Sequence, residues 1–115
     1  MNGANLSILV WGIYIIVIGS GMLFIPNKAL PLFGYDKPKD FWVRVFGLVI
    51  IALGYYYIAA AINDIDQFFW ITVYGRFAVV IGYLALVASK KAKKALITTA
   101  IIEAGGAIWT MITLL

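Results

Sequence analysis

The chain has 115 residues, of which 64% are hydrophobic and only 12% charged, and its mean hydropathy is +1.01. A soluble domain of this length carries about a quarter of its residues as Asp, Glu, Lys or Arg, so a water-soluble monomer is excluded. The chain contains no cysteine and no histidine, which excludes thiolate nucleophiles, disulfides, and histidine bases or metal ligands. We therefore expect an integral membrane protein whose chemistry is limited to five acids, nine bases and a few hydroxyls. We assign it no metal site, no cofactor and no catalytic residue.

Four segments are apolar over the ~20 residues that a helix needs to cross ~30 Å of hydrocarbon. They cover residues 6–25, 41–62, 68–88 and 95–115. Lipid offers no partner for backbone N–H and C=O groups, so segments of this length are predicted to be helices. No basic residue precedes the first segment, and we expect a retained helix there, not a cleaved signal peptide. The sequence thus predicts an all-α protein, a four-helix transmembrane bundle that forms a single domain over residues 1–115.

The basic residues predict the orientation of the chain. Eight of the nine lie in or beside the first and third connections: Lys28, Lys37, Lys39, Arg44, Lys90, Lys91, Lys93 and Lys94. The second connection, residues 63–67, contains two acids and no base. The positive-inside rule therefore places the first and third connections in the cytoplasm and both termini outside. We expect the lysines to anchor the chain to the anionic lipid of the bilayer, and we expect no nucleic-acid partner.

Glycines recur seven residues apart in three of the four predicted helices. The pairs are Gly12 and Gly19, Gly47 and Gly54, and Gly75 and Gly82. Seven residues make nearly two turns, so each pair opens one face of its helix. Small residues on such a face let neighbouring backbones approach closely, which favours association in lipid. The pattern predicts helix packing, and it fits a subunit interface equally well.

Two ionisable residues lie deep in predicted helices, Arg76 in the third and Glu103 in the fourth. A charge at that depth costs ~2.5 to 3.5 kcal/mol on insertion scales, so such a residue normally faces protein or water and has a partner. Counted at ~1.5 Å per residue, Glu103 lies between Arg44 and Arg76 in depth. Side chains lean toward the N-terminus of their helix, which makes Arg76 and Glu103 lean apart. Either arginine therefore remains a candidate partner of Glu103.

Polar residues extend this candidate site along two helices. Helix four carries Thr99, Glu103, Gly106, Thr110 and Thr113 on one face, and helix three carries Thr72, Arg76 and Tyr83. These side chains are suited to line a polar cavity. In the competing interpretation the threonines bond to their own helix backbone and the charges fix the register of the bundle. The intramembrane polar site is predicted to comprise Glu103, Arg76, Arg44, Thr99 and Thr110.

The run Val43–Ala61, an arginine followed by two glycines and a tyrosine cluster, resembles small bacterial four-helix inner-membrane proteins, loosely of the DoxX group. Pro26, the Phe33-Gly34 pair and Gly75-Arg76 extend the likeness over most of the chain. The resemblance implies a multi-pass protein of the bacterial inner membrane with an accessory role. The chain is also similar in size to small multidrug-resistance transporters. Those carry their membrane glutamate in the first helix, which here contains no acid.

Two functions follow from these features. The first is a non-enzymatic membrane component, either a homo-oligomer or a small subunit that packs against a larger membrane protein. It rests on the glycine faces and on short connections. The alternative is a small transporter or channel-like protein that binds an ion, a proton or an organic solute at the Glu103 and arginine site.

Overall fold

The computed structural model describes residues 3–115, and over this range the chain forms helices and no strand. The helices are α1 (Gly3–Phe24), α2 (Pro26–Leu32), α3 (Trp42–Ile62), α4 (Asp66–Ala88) and α5 (Ala95–Leu114). The prediction of an all-α protein is confirmed. The short helix α2 is an addition to the four predicted helices.

Helices α1, α3, α4 and α5 contain 20 to 23 residues each and are apolar enough to cross a membrane. At ~1.5 Å per residue, each matches the ~30 Å thickness of the hydrocarbon core. Large apolar side chains such as Val17, Tyr74 and Ile81 are exposed along these helices. A soluble monomer rarely exposes this much apolar surface. The four helices therefore indicate a multi-pass membrane protein.

Helix α2 forms inside the predicted first connection because its sequence carries signals for both helix ends. Pro26 has no N–H to lose at the first helical position, where its fixed φ favours the helix. At the other end Gly34 adopts φ 86°, a left-handed conformation that glycine tolerates best. The Gly34 N–H bonds to Pro31 O and the Tyr35 N–H to Leu30 O, both at 3.1 Å, which completes a Schellman motif.

The chain divides into two compact units. The N-terminal unit consists of Ile8–Asn63, and the C-terminal unit combines the residues through Ser7 with Asp64–Leu115. In the C-terminal unit α4 packs against α5, and its buried apolar side chains include Phe69, Val73 and Ala107. In the N-terminal unit α1 packs against α3, and the contact is made by Gly12, Gly19, Gly47 and Gly54.

Candidate functional site

A buried arginine organises the polar side chains of the C-terminal unit. Arg76 of α4 is only 2% exposed. Its Nη2 donates a hydrogen bond to Thr110 Oγ1 of α5 at 2.8 Å and a longer one to Thr72 Oγ1 at 3.4 Å. Its Nε donates to the Thr72 carbonyl, also at 3.4 Å. The guanidinium is therefore enclosed by protein and held by two helices.

The first turns of α1 add a third helix to this arrangement. Ser7 Oγ lies 2.7 Å from Thr110 Oγ1 and 2.8 Å from the Ala4 carbonyl oxygen. A hydroxyl supplies one donor and accepts more than one bond. The three shortest contacts are satisfied if Arg76 donates to Thr110, Thr110 to Ser7, and Ser7 to the Ala4 carbonyl. The Gly106 carbonyl, 3.2 Å from Thr110 Oγ1 on the same helix, is the competing acceptor for the one Thr110 proton. We call Arg76, Thr72, Thr110 and Ser7 the arginine cluster.

Asn5 makes a second polar contact between the start of α1 and the rest of the C-terminal unit. The side chain is 1% exposed, and its Nδ2 donates to the carboxylate of Asp64. Neither Ser7, a member of the arginine cluster, nor Asn5 was predicted from the sequence, because Asn and Ser at the start of an apolar run are typical of a helix cap. No spacing rule links residue 7 to residue 110, so the sequence holds no signal for this contact.

Glu103 lies on α5 and is half-buried. The charge of Arg76 acts on it electrostatically. The Arg76 side chain nevertheless extends toward Thr72, four residues nearer the N-terminus of α4, as the general lean of helical side chains predicts. It meets α5 at Thr110, seven residues beyond Glu103, or ~10 Å along the helix. Thr99, one turn before Glu103, is also half-buried.

Arg44 belongs to the N-terminal unit and has a different role. It is exposed, and its Nη1 donates to the Leu23 carbonyl at 2.6 Å. Leu23 lies in the last turn of α1, where the helix dipole favours a cation. The structure brings Arg76 and Thr110 into contact and gives Arg44 a bond to α1. The partner of Glu103 stays a prediction.

Four of the six predicted packing glycines join α1 to α3. A Cβ added to Gly19 would lie 2.7 Å from the Gly47 carbonyl oxygen, and one added to Gly47 would lie 2.6 Å from the Gly19 carbonyl oxygen. Gly12 and Gly54 oppose each other in the same way, at 3.0 and 2.8 Å. Real Cβ atoms do not approach other atoms this closely. The two backbones can therefore meet only because these positions have no side chain.

The third glycine pair, on α4, has a different environment. Gly75 and Gly82 are exposed, and a Cβ added to either would meet no atom of the described residues within 4 Å. Gly105 on α5 is open in the same way. Within residues 3–115, the glycine face of α4 therefore makes no close helix contact of the kind seen between α1 and α3.

Comparisons with protein-family models, with curated proteins and with solved structures found no significant match. The likeness to DoxX-like proteins therefore stays a prediction. Among the described residues no three acids come together as a metal site would require.

Proposed function

We propose that the chain is a non-enzymatic, self-associating component of a membrane in which α4 contacts α4 of a second copy. The observation that supports this is the open face of Gly75 and Gly82, which Ala78 and Ala85 extend with further exposed small residues. The same glycine spacing brings α1 and α3 into backbone contact within the chain. Helices in lipid associate through such close packing, because no hydrophobic force drives them together. A larger membrane protein is the other candidate for this face.

The proposal includes an orientation. The basic first and third connections lie in the cytoplasm and both termini lie outside, since short cytoplasmic loops are enriched in Lys and Arg. The location in a bacterial inner membrane rests on the DoxX-like resemblance. Cysteine labelling supplies the test: a cysteine placed at residue 37 is expected to resist a membrane-impermeant reagent in intact cells, whereas one at residue 65 is labelled.

Bulky substitutions on α4 test self-association. Gly75→Leu and Gly82→Leu place a side chain where the chain itself has no neighbouring atom, so both variants are expected to fold. Gly105→Leu adds the same bulk to an open position on α5 and serves as the control. We would measure the mass of the purified protein by light scattering and energy transfer between labelled copies in liposomes.

We expect the parent protein to be an oligomer. Gly75→Leu and Gly82→Leu should be monomeric, and Gly105→Leu should remain an oligomer. A monomeric parent in liposomes, or equal dissociation by all three substitutions, would contradict the proposal. Co-purification of another membrane protein that is lost only in the α4 variants would assign the face to a larger partner.

A second function, transport, is favoured by the arginine cluster. A charged side chain inside a membrane helix commonly marks an ion or proton pathway. Arg76 is buried among hydroxyls from α1, α4 and α5, and its charge acts on the half-buried Glu103. In this alternative a proton, an ion or an organic solute binds between Glu103 and Arg76.

Flux into reconstituted vesicles tests transport. Glu103→Gln keeps the shape of the side chain and removes its charge, and Asp66→Asn makes the same change at the first residue of α4. Transport predicts flux in the parent that Glu103→Gln abolishes and Asp66→Asn retains. No flux in the parent over a panel of protons, cations and organic solutes would contradict this function.

A further inference from the structure

We propose that a cleft at the ends of α1 and α3 binds a phosphate group, carried by a lipid headgroup or by a soluble phosphate compound. The cleft has a volume of about 410 Å³. Its lining residues are Pro26, Asn27, Pro38, Lys39, Asp40, Phe41 and Arg44. All of them belong to the N-terminal unit, so the cleft is formed within one compact body.

The lining side chains have the chemistry that phosphate requires. Lys39 and Arg44 are cations, and the Asn27 amide is a further donor. Arg44 uses Nη1 to hold the Leu23 carbonyl, and a guanidinium has five N–H donors in a planar fork. The contact with Leu23 therefore fixes the position of the arginine and leaves other donors for phosphate oxygens, which arginine binds well.

One carboxylate also lines the cleft. Asp40 accepts a hydrogen bond of 2.7 Å from the Phe41 backbone N–H, which occupies one of its oxygens. Two cations and one anion line the cleft, and the same connection adds the exposed Lys28, Lys37 and Asp36, so its net charge remains positive. The charge balance of the cleft therefore favours an anion.

The position of the cleft brings it to the depth of lipid phosphates. Arg44 lies in the first turn of α3 and Leu23 in the last turn of α1, so both spanning helices end here. Phe41, which lines the cleft, is exposed, and its ring centroid lies 4.6 Å from that of Trp42, which is 63% exposed. Aromatic side chains are enriched at the membrane–water interface, where lipid phosphates also lie. The glycine face of α4 is in the other unit, so this inference does not depend on self-association.

The test measures lipid retention by the intact protein. The purified chain, in a non-ionic detergent without phosphate, is mixed with phosphatidylglycerol or with oleate, an anionic lipid without phosphate, and adducts are counted by native mass spectrometry. A second arm adds inorganic phosphate and follows thermal unfolding. Lys39→Gln removes a cleft charge, and Lys91→Gln removes the same charge from the third connection as the control. Arg44→Lys keeps the positive charge but removes the planar set of N–H donors that the guanidinium offers to phosphate.

We expect retention of phosphatidylglycerol over oleate, weakened about fivefold in Lys39→Gln, as one surface charge predicts, and unchanged in Lys91→Gln. The second arm has its own supporting outcome. If inorganic phosphate raises the unfolding temperature of the parent but not of Lys39→Gln, and no lipid is retained, the cleft binds a soluble phosphate compound. Equal effects of Lys39→Gln and Lys91→Gln, or equal retention of oleate, overturn the proposal. Unfolding curves of each variant separate lost binding from lost structure.

Discussion

The two units of this chain hold their helices together in opposite ways. In the N-terminal unit α1 and α3 meet through bare backbone, with Gly19 against Gly47 and Gly12 against Gly54. In the C-terminal unit the contacts that cross between helices include a chain of polar side chains from Arg76 to Ser7. Lipid removes the hydrophobic force between helices, and close packing and interhelical hydrogen bonds are two of the remaining sources of stability.

This difference determines how each unit responds to mutation. A backbone contact has no room for added atoms, so the N-terminal unit is sensitive to enlargement. The C-terminal unit is sensitive to the removal of a polar side chain, because the side chains bonded to it are left buried without partners. The glycine face of α4 belongs to neither case, since enlargement there meets no atom of the described residues.

The largest expected effect is the loss of the buried arginine. Arg76→Leu removes the buried guanidinium that donates to Thr110 and, at longer range, to Thr72. A hydrogen bond from a charged group is worth ~1.5 to 3 kcal/mol, so the loss of both is expected to cost ~3 kcal/mol. We expect this loss in the free energy of unfolding in detergent. Arg44→Leu, which removes an exposed arginine from the N-terminal unit, is expected to cost less, and the reverse order would contradict the assigned roles.

Enlargement of a packed glycine is expected to follow. In Gly47→Ala the new Cβ would lie 2.6 Å from the Gly19 carbonyl oxygen and 2.9 Å from the Leu23 nitrogen. Backbone must move to admit it, at a cost of ~1 to 3 kcal/mol. In a detergent that separates the copies, Gly75→Ala has the opposite sign, a gain of ~0.5 to 1 kcal/mol, because alanine favours the helix and the site is open within one chain. Thermal unfolding followed by circular dichroism checks both, and equal shifts would refute the comparison.

An effect of similar size tests the hydroxyl contacts from Arg76 to Ser7. Thr110→Val keeps the shape of the side chain but removes the acceptor of Arg76 and the partner of Ser7. Leaving buried polar groups unsatisfied costs ~1 to 3 kcal/mol. Thr113→Val is the matched control, since the Thr113 hydroxyl bonds to the Trp109 and Thr110 carbonyls of its own helix. Equal losses of unfolding free energy in the two variants would show that the hydroxyl contacts between Arg76, Thr110 and Ser7 add no stability.

The elements that were predictable from sequence are those that a single helix determines. Apolar length identified four spanning helices, and a seven-residue spacing placed each glycine pair on one face. The spacing is identical for Gly47 with Gly54 and for Gly75 with Gly82, yet one face is packed and the other is open. Periodicity defines a face and does not state which helix, if any, covers it.

The contacts between distant residues were not predictable for the same reason. Ser7 and Thr110 are 103 positions apart, and neither carries a motif that points to the other. Depth and the lean of helical side chains left both Arg44 and Arg76 open as partners of Glu103. The structure gives each arginine local partners, the Leu23 carbonyl for Arg44 and two threonines for Arg76, and none of these bonds involves Glu103.

The smallest expected effect compares one helix ending in each unit. Both α2 and α4 end in a Schellman motif; the residue in the left-handed conformation is Gly34 at φ 86° after α2 and Lys90 at φ 63° after α4. At the second site Lys90 N–H bonds to Val87 O at 3.0 Å and Lys91 N–H to Leu86 O at 2.9 Å. Residues with a Cβ lose ~1 to 2 kcal/mol in this conformation.

Exchange of the two residue types should therefore change stability in opposite directions. Lys90→Gly is expected to stabilise the protein by ~0.5 to 1 kcal/mol, because relief of the left-handed strain exceeds the added entropy of the unfolded chain. Gly34→Ala is expected to destabilise it by ~1 kcal/mol. Lys91→Gly, one residue beyond the strained position, controls for the lost charge and should not stabilise. If Lys90→Gly and Lys91→Gly shift the unfolding temperature equally, charge and not backbone strain governs this turn.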